Sequence, residues 1–368
     1  MKKLILSATL LLSVATFAQK DELKALKKIY AKDEISEKDL EAYKAASDAL
    51  QNLVSEESDK VYAKFYKVMY PTVVLASKGT KATPQDQLSV YSLDFIKDYS
   101  AVINETIAFE KKSGKKIYTD ELLEEMKEFK QSMTSIAMTL NGAKKYKEAA
   151  PFFYNVYLFD PIHEGKSLQN AAILSVQGED YKVAIKYYEE LVASDYINNG
   201  MVYYAFNKAT GLEEEIASIE DRAKFISLSL YEKPRDLKVS DSKPETLRIL
   251  ALLYRQNSDF EKAKETFAKA RLLAPNDEEI KKGEFELYYN LGISGLSEEE
   301  KLVAEINASR ADKNKFDALM AKRKEMFIKI IPDFEKAYSI DPSNESTKSI
   351  LKMAYVATGQ ADKVKTLQ

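Results

Sequence analysis

One segment of the chain carries residues that could bind a nucleotide phosphate. Residues 160–167 read Asp-Pro-Ile-His-Glu-Gly-Lys-Ser, and Gly-Lys-Ser closes the P-loop motif. The first glycine of that motif is replaced by Asp160, and the pattern predicts no strand before it, so the backbone cradle for phosphate is missing. His163 is the only histidine, and the chain contains no cysteine. We therefore predict a turn followed by a helix start, and we expect no cofactor and no metal.

Two runs of glutamate could supply the pair of carboxylates that a glycosidase uses. Glu213–Glu215 and Glu298–Glu300 each follow a polar turn. They therefore fit the first turn of a helix, where acidic residues complement the helix dipole. The basic stretch 322–329 has acidic neighbours and fits a solvated helix face. The 23 tyrosines and 16 phenylalanines could stack on sugars, but most fall at core spacings. We assign no catalytic residue and predict that the protein is not an enzyme.

The first 18 residues have the pattern of a secretory signal peptide. Lys2 and Lys3 precede an apolar run over residues 4–15, and Ala18 is the small residue before a cleavage site at Gln19. The run is shorter than the roughly 20 residues that a membrane-spanning helix needs. No cysteine is available there for a lipid anchor. We expect an exported protein, periplasmic or secreted, with no transmembrane segment or lipid anchor in the mature chain.

The composition favours helices and argues against nucleic acid as a partner. Only 11 glycines and 9 prolines occur in 368 residues, which leaves few of the tight turns that all-β folds need. The formal net charge is −3, and charges of both signs are interspersed, so the chain lacks the concentrated basic face that nucleic-acid binding requires. Residues 19–128 contain apolar side chains at helical spacing, such as Tyr43 and Leu50, and predict an N-terminal helical region.

A repeat of about 34 residues follows that region. Its units align on Ala149, Ala184 and Ala263, each preceded three positions earlier by an aromatic residue and followed four positions later by another. Each unit contains two amphipathic segments joined by a short polar turn. Pro161 and Pro275 end two of the second segments, because proline lacks the N–H that would continue a helix. The pattern predicts pairs of helices.

These units resemble the tetratricopeptide repeat, whose small, aromatic and terminal proline positions are matched most fully by the unit that ends at Pro275. The resemblance implies an all-α fold, a right-handed α-solenoid over residues 129–368 preceded by the N-terminal helical region. The clear units span 130–163, 165–198 and 244–277, a partial unit ends at residue 342, and residues 343–368 form a C-terminal cap. The chain also resembles exported bacterial tetratricopeptide proteins without assigned chemistry.

The stretch 199–243 fits the repeat register poorly. Residues 203–208 and 213–230 still have a helical pattern, and we predict helices there. Residues 232–244 contain two prolines and few apolar side chains, so we predict a loop. Residues 279–330 should hold a divergent helix pair, because the distance from Pro275 to Pro342 is close to two repeat periods.

The resemblance also implies which side chains line a groove. In tetratricopeptide repeats the first helix of each unit lines the concave face, with its second, fifth, ninth, twelfth and thirteenth positions pointing inward. In the first unit the second position is Gln131. The partner-binding candidates among these positions are Met138, Gln169, Ile173, Gln177, Arg248, Leu252 and Arg255. Arg248, Leu252 and Arg255 combine two charges with an apolar anchor on one helix face.

The favoured function is a non-catalytic exported scaffold that binds a protein or peptide in a helical-repeat groove. Stacked repeats present an extended surface, which suits recognition better than bond chemistry. A second hypothesis is glycan or nutrient binding by a helical protein of the cell envelope, which the tyrosine-rich helices would serve. A third is a hydrolase that uses carboxylates alone, although no recognisable pair is present.

Overall fold

The computed structural model describes residues 19–53 and 56–367, so the predicted signal peptide lies outside the described residues. The chain divides into two compact units, Met1–Asp180 and Tyr181–Gln368. The division falls between the two helices of the second predicted repeat.

The described part of the first unit is built from helices. Residues 19–30 are helical, and the helices that follow are α1 (Glu37–Leu50), α2 (Glu57–Val68), α3 (Tyr70–Lys78), α4 (Pro84–Ser89), α5 (Leu93–Ser113), α6 (Thr119–Gly142), α7 (Tyr146–Phe159) and α8 (Gly165–Gln177), with a 3₁₀ turn at Gly79–Lys81. The core of this unit is rich in aromatic side chains. Tyr43, Phe65 and Tyr99 are fully buried, and the rings of Phe65 and Tyr118 stack with their centroids 5.0 Å apart.

The second unit combines helices with a small sheet. Its elements are α9 (Tyr181–Ala193), α10 (Asp195–Asn199), β1 (Met201–Asn207), β2 (Leu212–Ile216), α11 (Ile219–Ser227), β3 (Tyr231–Lys238), α12 (Lys243–Gln256), α13 (Phe260–Leu273), α14 (Glu278–Gly295), α15 (Glu299–Ala308), α16 (Lys313–Ile340) and α17 (Glu345–Thr358), with 3₁₀ turns at Val239–Ser242 and Ala361–Thr366. Phe327, Phe334 and Leu351 form the fully buried centre of its C-terminal core.

The turn inside each predicted repeat has the same backbone conformation. Lys144, Glu179 and Ser258 each lie five positions before an aligned alanine, and their φ angles are 59°, 57° and 62°. After each of these residues, the next N–H bonds to the carbonyl oxygen five residues earlier, as Lys145 does to Leu140 at 2.9 Å. This is the left-handed cap that ends many helices. The turns repeat in structure as the alanines repeat in sequence.

The ends of the second helices also repeat. Asp160, Ala274 and Asp341 follow the last residues of α7, α13 and α16, with φ between −147° and −130° and ψ between 73° and 88°. Each precedes a proline, whose ring disfavours the helical conformation in the residue before it. The prolines therefore stop these helices, as the sequence predicts. The described chain is predominantly helical, and the all-α repeat fold is confirmed.

The interpretation of residues 199–243 was wrong in its local structure. The predicted helix at 203–208 is instead strand β1, and 213–230 holds strand β2 before the short helix α11. β1 lies between β2 and β3 in an antiparallel sheet. The run Val-Tyr-Tyr-Ala-Phe in β1 consists mainly of residues that favour strands, and periodicity alone does not separate a short apolar strand from a helix.

Two further expectations for this stretch are corrected. The predicted loop at 232–244 begins with strand β3, where Pro234 is tolerated because β3 is an edge strand. Glu213–Glu215 lie on β2 and not at a helix start. Glu213 there binds Arg235 of β3, with nitrogen to oxygen distances of 2.7 and 2.9 Å. By contrast, Glu299 does begin a helix, α15.

Candidate partner-binding surfaces

A groove whose lining contains no charged residue runs along α6 in the first unit. Its volume is about 740 Å³. Helix α6 contributes Gln131, Ser132, Ser135 and Ile136, and the remaining lining residues are Leu75, Gln87, Leu88, Val90 and Tyr91. We call this the neutral groove. It combines apolar side chains with amides and hydroxyls, the groups that can hold a peptide backbone.

Met138 extends the same face of α6 beyond the neutral groove. Residues 131, 135 and 138 follow the spacing of one helix face, and Met138 is 63% exposed. Met133 on the same helix is fully buried. The predicted site residue Met138 therefore lies at the surface, in line with Gln131 and Ser135.

The short helix α4 presents Gln87 and Leu88 to the neutral groove. A capping box fixes its start: the hydroxyl of Thr83 accepts the N–H of Asp86 at 3.2 Å, and the carboxylate of Asp86 accepts the N–H of Thr83 at 3.0 Å. Hydrogen bonding from Lys78, at 2.6 Å, is the main cause that lowers the pKa of Asp86 to about 2. The Leu88 side chain is left 46% exposed.

A second cavity, which we call the acidic cavity, has a volume of about 390 Å³. Its lining residues are Tyr30, Lys32, Ile35, Thr72, Val73, Ala76, Glu121, Glu124, Glu125 and Glu128. The ammonium of Lys32 lies 2.5 Å from the carboxylate of Asp39, which does not line the cavity. The lining therefore has a large excess of negative charge.

The glutamates of the acidic cavity all belong to α6 and follow the spacing of one helix face. Glu124 pairs with Lys127 at 3.1 Å. Among the described residues, Glu121, Glu125 and Glu128 have no cation within 4.0 Å. Burial raises the pKa of Glu125, and the negative charges of Glu121 and Glu128 raise it further. The three carboxylates therefore repel one another without a paired cation among the described residues, and only the side-chain hydroxyl of Tyr99 opposes the rise in the pKa of Glu125.

Glu110 of α5 determines where α6 begins. Its fully buried carboxylate accepts hydrogen bonds from the N–H groups of Ile117 (2.8 Å), Tyr118 (3.1 Å) and Thr119 (3.0 Å), and from the hydroxyls of Thr119 (2.7 Å) and Tyr62 (3.1 Å). Burial opposes ionisation of Glu110, but the hydrogen bonds outweigh it and hold its pKa below the usual value. A carboxylate at a helix N-terminus also complements the helix dipole. Glu110 thus positions the helix that lines both cavities.

The predicted site residues Gln169, Ile173 and Gln177 lie on α8 at intervals of four residues, so they share one helix face. Ile173 is 39% exposed, Gln177 is exposed and Gln169 is half-buried. Their neighbours Ala171, Ala172 and Leu174 are buried. All three side chains therefore lie at least partly at the surface of the first unit.

In the second unit, α12 carries Arg248 and Arg255, and both are neutralised by carboxylates. Arg248 donates two hydrogen bonds to Glu245, at 2.6 and 2.7 Å, and these hold its pKa above the usual value. Arg255 donates to Glu286 of α14 at 3.3 Å. A partner that used these guanidinium groups would have to displace or share these contacts.

Leu252 lies between these arginines on α12 and is half-buried. A Cβ atom placed on Gly283 of α14 would lie 3.9 Å from Cδ2 of Leu252 and 2.8 Å from the ring of Phe267. Leu252 therefore packs near a close helix contact, and only part of its side chain is available to a partner.

The segment that resembles a P-loop is a turn followed by α8, which begins at Gly165. The Nδ1 atom of His163 lies 2.8 Å from the carboxylate of Asp160 in an exposed position. Within the described residues, no three His, Cys, Asp or Glu side chains are arranged so that they could hold one metal ion. A search of the same residues finds no helix that combines the length and the hydropathy of a membrane span.

Sequence reasoning missed the part of the neutral groove that lies outside the repeats. Leu75, Gln87 and Leu88 belong to the N-terminal helical region, where no repeat register gave their positions. The signal that was available is Thr83 followed by Asp86 three residues later, a pattern that starts a helix. It could place α4, but it could not show that α4 lies beside the second half of α6.

One comparison with known proteins agrees with the helix pair α12–α13. A tetratricopeptide repeat family model matches residues 249–277, which are α13, most of α12 and the turn between them. Residues 249–277 therefore match a tetratricopeptide repeat, and repeats of this kind suggest a role in protein interaction. A comparison with curated protein sequences finds no match.

Solved structures with partial similarity include BtubC (BKLC) from P. vanneervenii, at 15% identity, with 85% of this chain and 89% of that chain covered and a TM-score of 0.25. Another is the APC/C hetero-tetramer Cut9-Hcn1, at 16% identity, with 85% of this chain and 59% of that chain covered and a TM-score of 0.19.

Proposed function

We propose that the protein is an exported, non-catalytic scaffold that binds a protein or peptide segment in a helical-repeat groove. The neutral groove carries the proposal. It offers apolar side chains for an anchor, and the amides of Gln87 and Gln131 can donate and accept hydrogen bonds to a backbone. Met138 extends this surface. The pattern of residues 1–18 supports export.

In the first unit the surface proposed for binding also includes the exposed face of α8, and the exposed face of α12 is a separate candidate surface in the second unit. Ile173 offers apolar area, and Gln169 and Gln177 flank it on one face. Arg248 and Arg255 would contribute by exchanging their present carboxylate partners for those of the bound segment, with Leu252 between them. We expect the double variant Arg248→Ala with Arg255→Ala to bind the partner more weakly. A change within about twofold, or about 0.4 kcal/mol, would remove α12 from the proposed surface.

Site-specific photo-cross-linking in the producing cells tests the function. A photoreactive amino acid replaces Met138 in one variant and Ile173 in another. The matched control replaces Leu272, which is 83% exposed on the second helix α13. We expect a discrete protein adduct at Met138 or Ile173 and none at Leu272. Adducts of equal yield at all three positions, or no adduct at either first-helix position, would contradict the proposal.

A further inference from the structure

The neutral groove and the acidic cavity share the same two helices. Helix α3 contributes Leu75 to the groove and Thr72, Val73 and Ala76 to the cavity, and these four residues lie within two turns of one another. Helix α6 contributes its acidic first half to the cavity and its uncharged second half to the groove. We call the combined surface the α3–α6 trough.

One continuous face of α6 connects the two halves of the trough. Glu121, Glu125, Glu128, Ser132 and Ser135 follow one another at intervals of three or four residues, which places them on one side of the helix. At about 1.5 Å per residue, this face is about 21 Å long. A ligand that lies along it would contact negative charge at one end and apolar groups with neutral amides at the other.

The charges determine what fits each half. Carboxylates that lack cationic partners in a concave, partly buried site favour a ligand that brings positive charge. In the neutral groove, Leu88 and Ile136 offer apolar contact, and an ionised side chain there would lose its hydration without a partner. A wholly acidic ligand and a wholly basic ligand would each be mismatched to one half.

We propose that the α3–α6 trough binds a protein segment with lysine or arginine at one end and an uncharged apolar side chain at the other. The inference rests on the proposed scaffold function and names the chemistry of its partner at this surface. Glu125 and Ile136 are eleven residues apart on α6, or about 16 Å. An extended chain covers that distance in about five residues, so the basic and apolar side chains should be separated by about five positions.

Fluorescence anisotropy with synthetic peptides tests the inference on the mature chain. One labelled peptide has two lysines, a four-residue Ser/Gly spacer and two leucines, and a second has the reverse order. In one control for each peptide, glutamates replace the lysines. In the other control, serines replace the leucines. We expect one order to bind at micromolar concentration, and each control to bind at least tenfold more weakly. Binding should weaken with added salt, because ions screen the lysine to glutamate attraction.

Protein variants locate the binding. Glu121→Gln combined with Glu128→Gln should weaken the peptide at least tenfold and reduce its salt dependence. Leu88→Ser combined with Ile136→Ser should reduce the contribution of the leucines. The matched control is Glu148→Gln, an exposed carboxylate of α7 that lines neither cavity, and it should leave affinity unchanged. Circular dichroism verifies that each variant is folded.

Several results would overturn the inference: neither peptide order binds, the glutamate control binds as well as its parent, or the double glutamate variant binds with wild-type affinity. Cross-linking at Met138 or Ile173 distinguishes a failure of the proposed trough chemistry from a failure of the scaffold function. If it captures a partner while both peptides fail, the scaffold function stands and the chemistry assigned to the trough is wrong.

Discussion

Glu110→Gln is the most informative change to the framework of the candidate site. The substitution keeps the size of the side chain but removes its charge and turns one acceptor oxygen into an NH₂ donor. That donor would face a cluster of N–H and hydroxyl donors around residues 117–119, to which the carboxylate now accepts bonds at 2.7 to 3.1 Å. At least one buried donor loses its partner, and the start of α6 loses its compensating charge.

The expected loss is about 2–3 kcal/mol in the free energy of unfolding. Hydrogen bonds to a charged group contribute about 1.5–3 kcal/mol, and an unsatisfied buried donor costs about 1–3 kcal/mol. The retained carbonyl oxygen of Gln still accepts some of the bonds, which keeps the loss below the sum of these terms. Glu105→Gln is the control on the same helix. Its partly exposed carboxylate pairs with Lys64 at 2.7 Å, and we expect it to lose no more than about 0.5 kcal/mol.

Urea titration followed by circular dichroism gives the free energies, and hydrogen exchange measures the amides of Ile117, Tyr118 and Thr119 directly. The pKa of Glu110 is lowered on folding, so its stabilisation is complete above the ordinary glutamate pKa and is lost as the pH falls through the lowered value. The difference between wild type and Glu110→Gln should therefore shrink below about pH 4. An unchanged unfolding midpoint together with unchanged exchange at these amides would refute the assigned role.

Three further outcomes are expected. Ala263→Leu should destabilise the fold by about 1–3 kcal/mol, as measured by urea titration, because Ala263 is fully buried. Ala268→Leu, on the exposed side of the same helix, should have little effect. Equal unfolding midpoints for the two variants would contradict the repeat register. Gly283→Ala should also destabilise, since its new Cβ would lie 2.8 Å from a neighbouring ring, whereas Gly142→Ala meets no atom within 4 Å and should not. Intact-mass analysis of the exported protein should find Gln19 as the first residue, and a retained segment 1–18 would disprove the cleavage site.

The repeat was predictable from sequence because its packing demands particular residues at fixed positions. Ala149, Ala184 and Ala263 are all fully buried, so each position favours a small side chain. The prolines at 161 and 275 impose the same backbone conformation on the residues before them. Such constraints leave a signal in a single sequence.

The sheet and the trough left no comparable signal. The run in β1 is too short for its period to distinguish strand from helix, and its pairing with β3 joins segments separated by α11 and β2. The trough depends on where α3 and α4 lie against α6, and this follows from packing in the aromatic core of the first unit. The partners of Arg248 and Arg255 were missed in the same way. Glu286 lies on α14, and contact between helices is not encoded in local spacing.

The most direct test of the scaffold account measures how tightly the partner captured by cross-linking binds a protein with one altered side chain. Isothermal titration calorimetry would compare wild type with Met138→Ser, and Leu272→Ser would serve as the control. Both side chains are mostly exposed, so neither change should disturb the fold. The account predicts at least fivefold weaker binding for Met138→Ser, or about 1 kcal/mol, and wild-type affinity for Leu272→Ser. Wild-type affinity for Met138→Ser together with weaker binding for Leu272→Ser would contradict it.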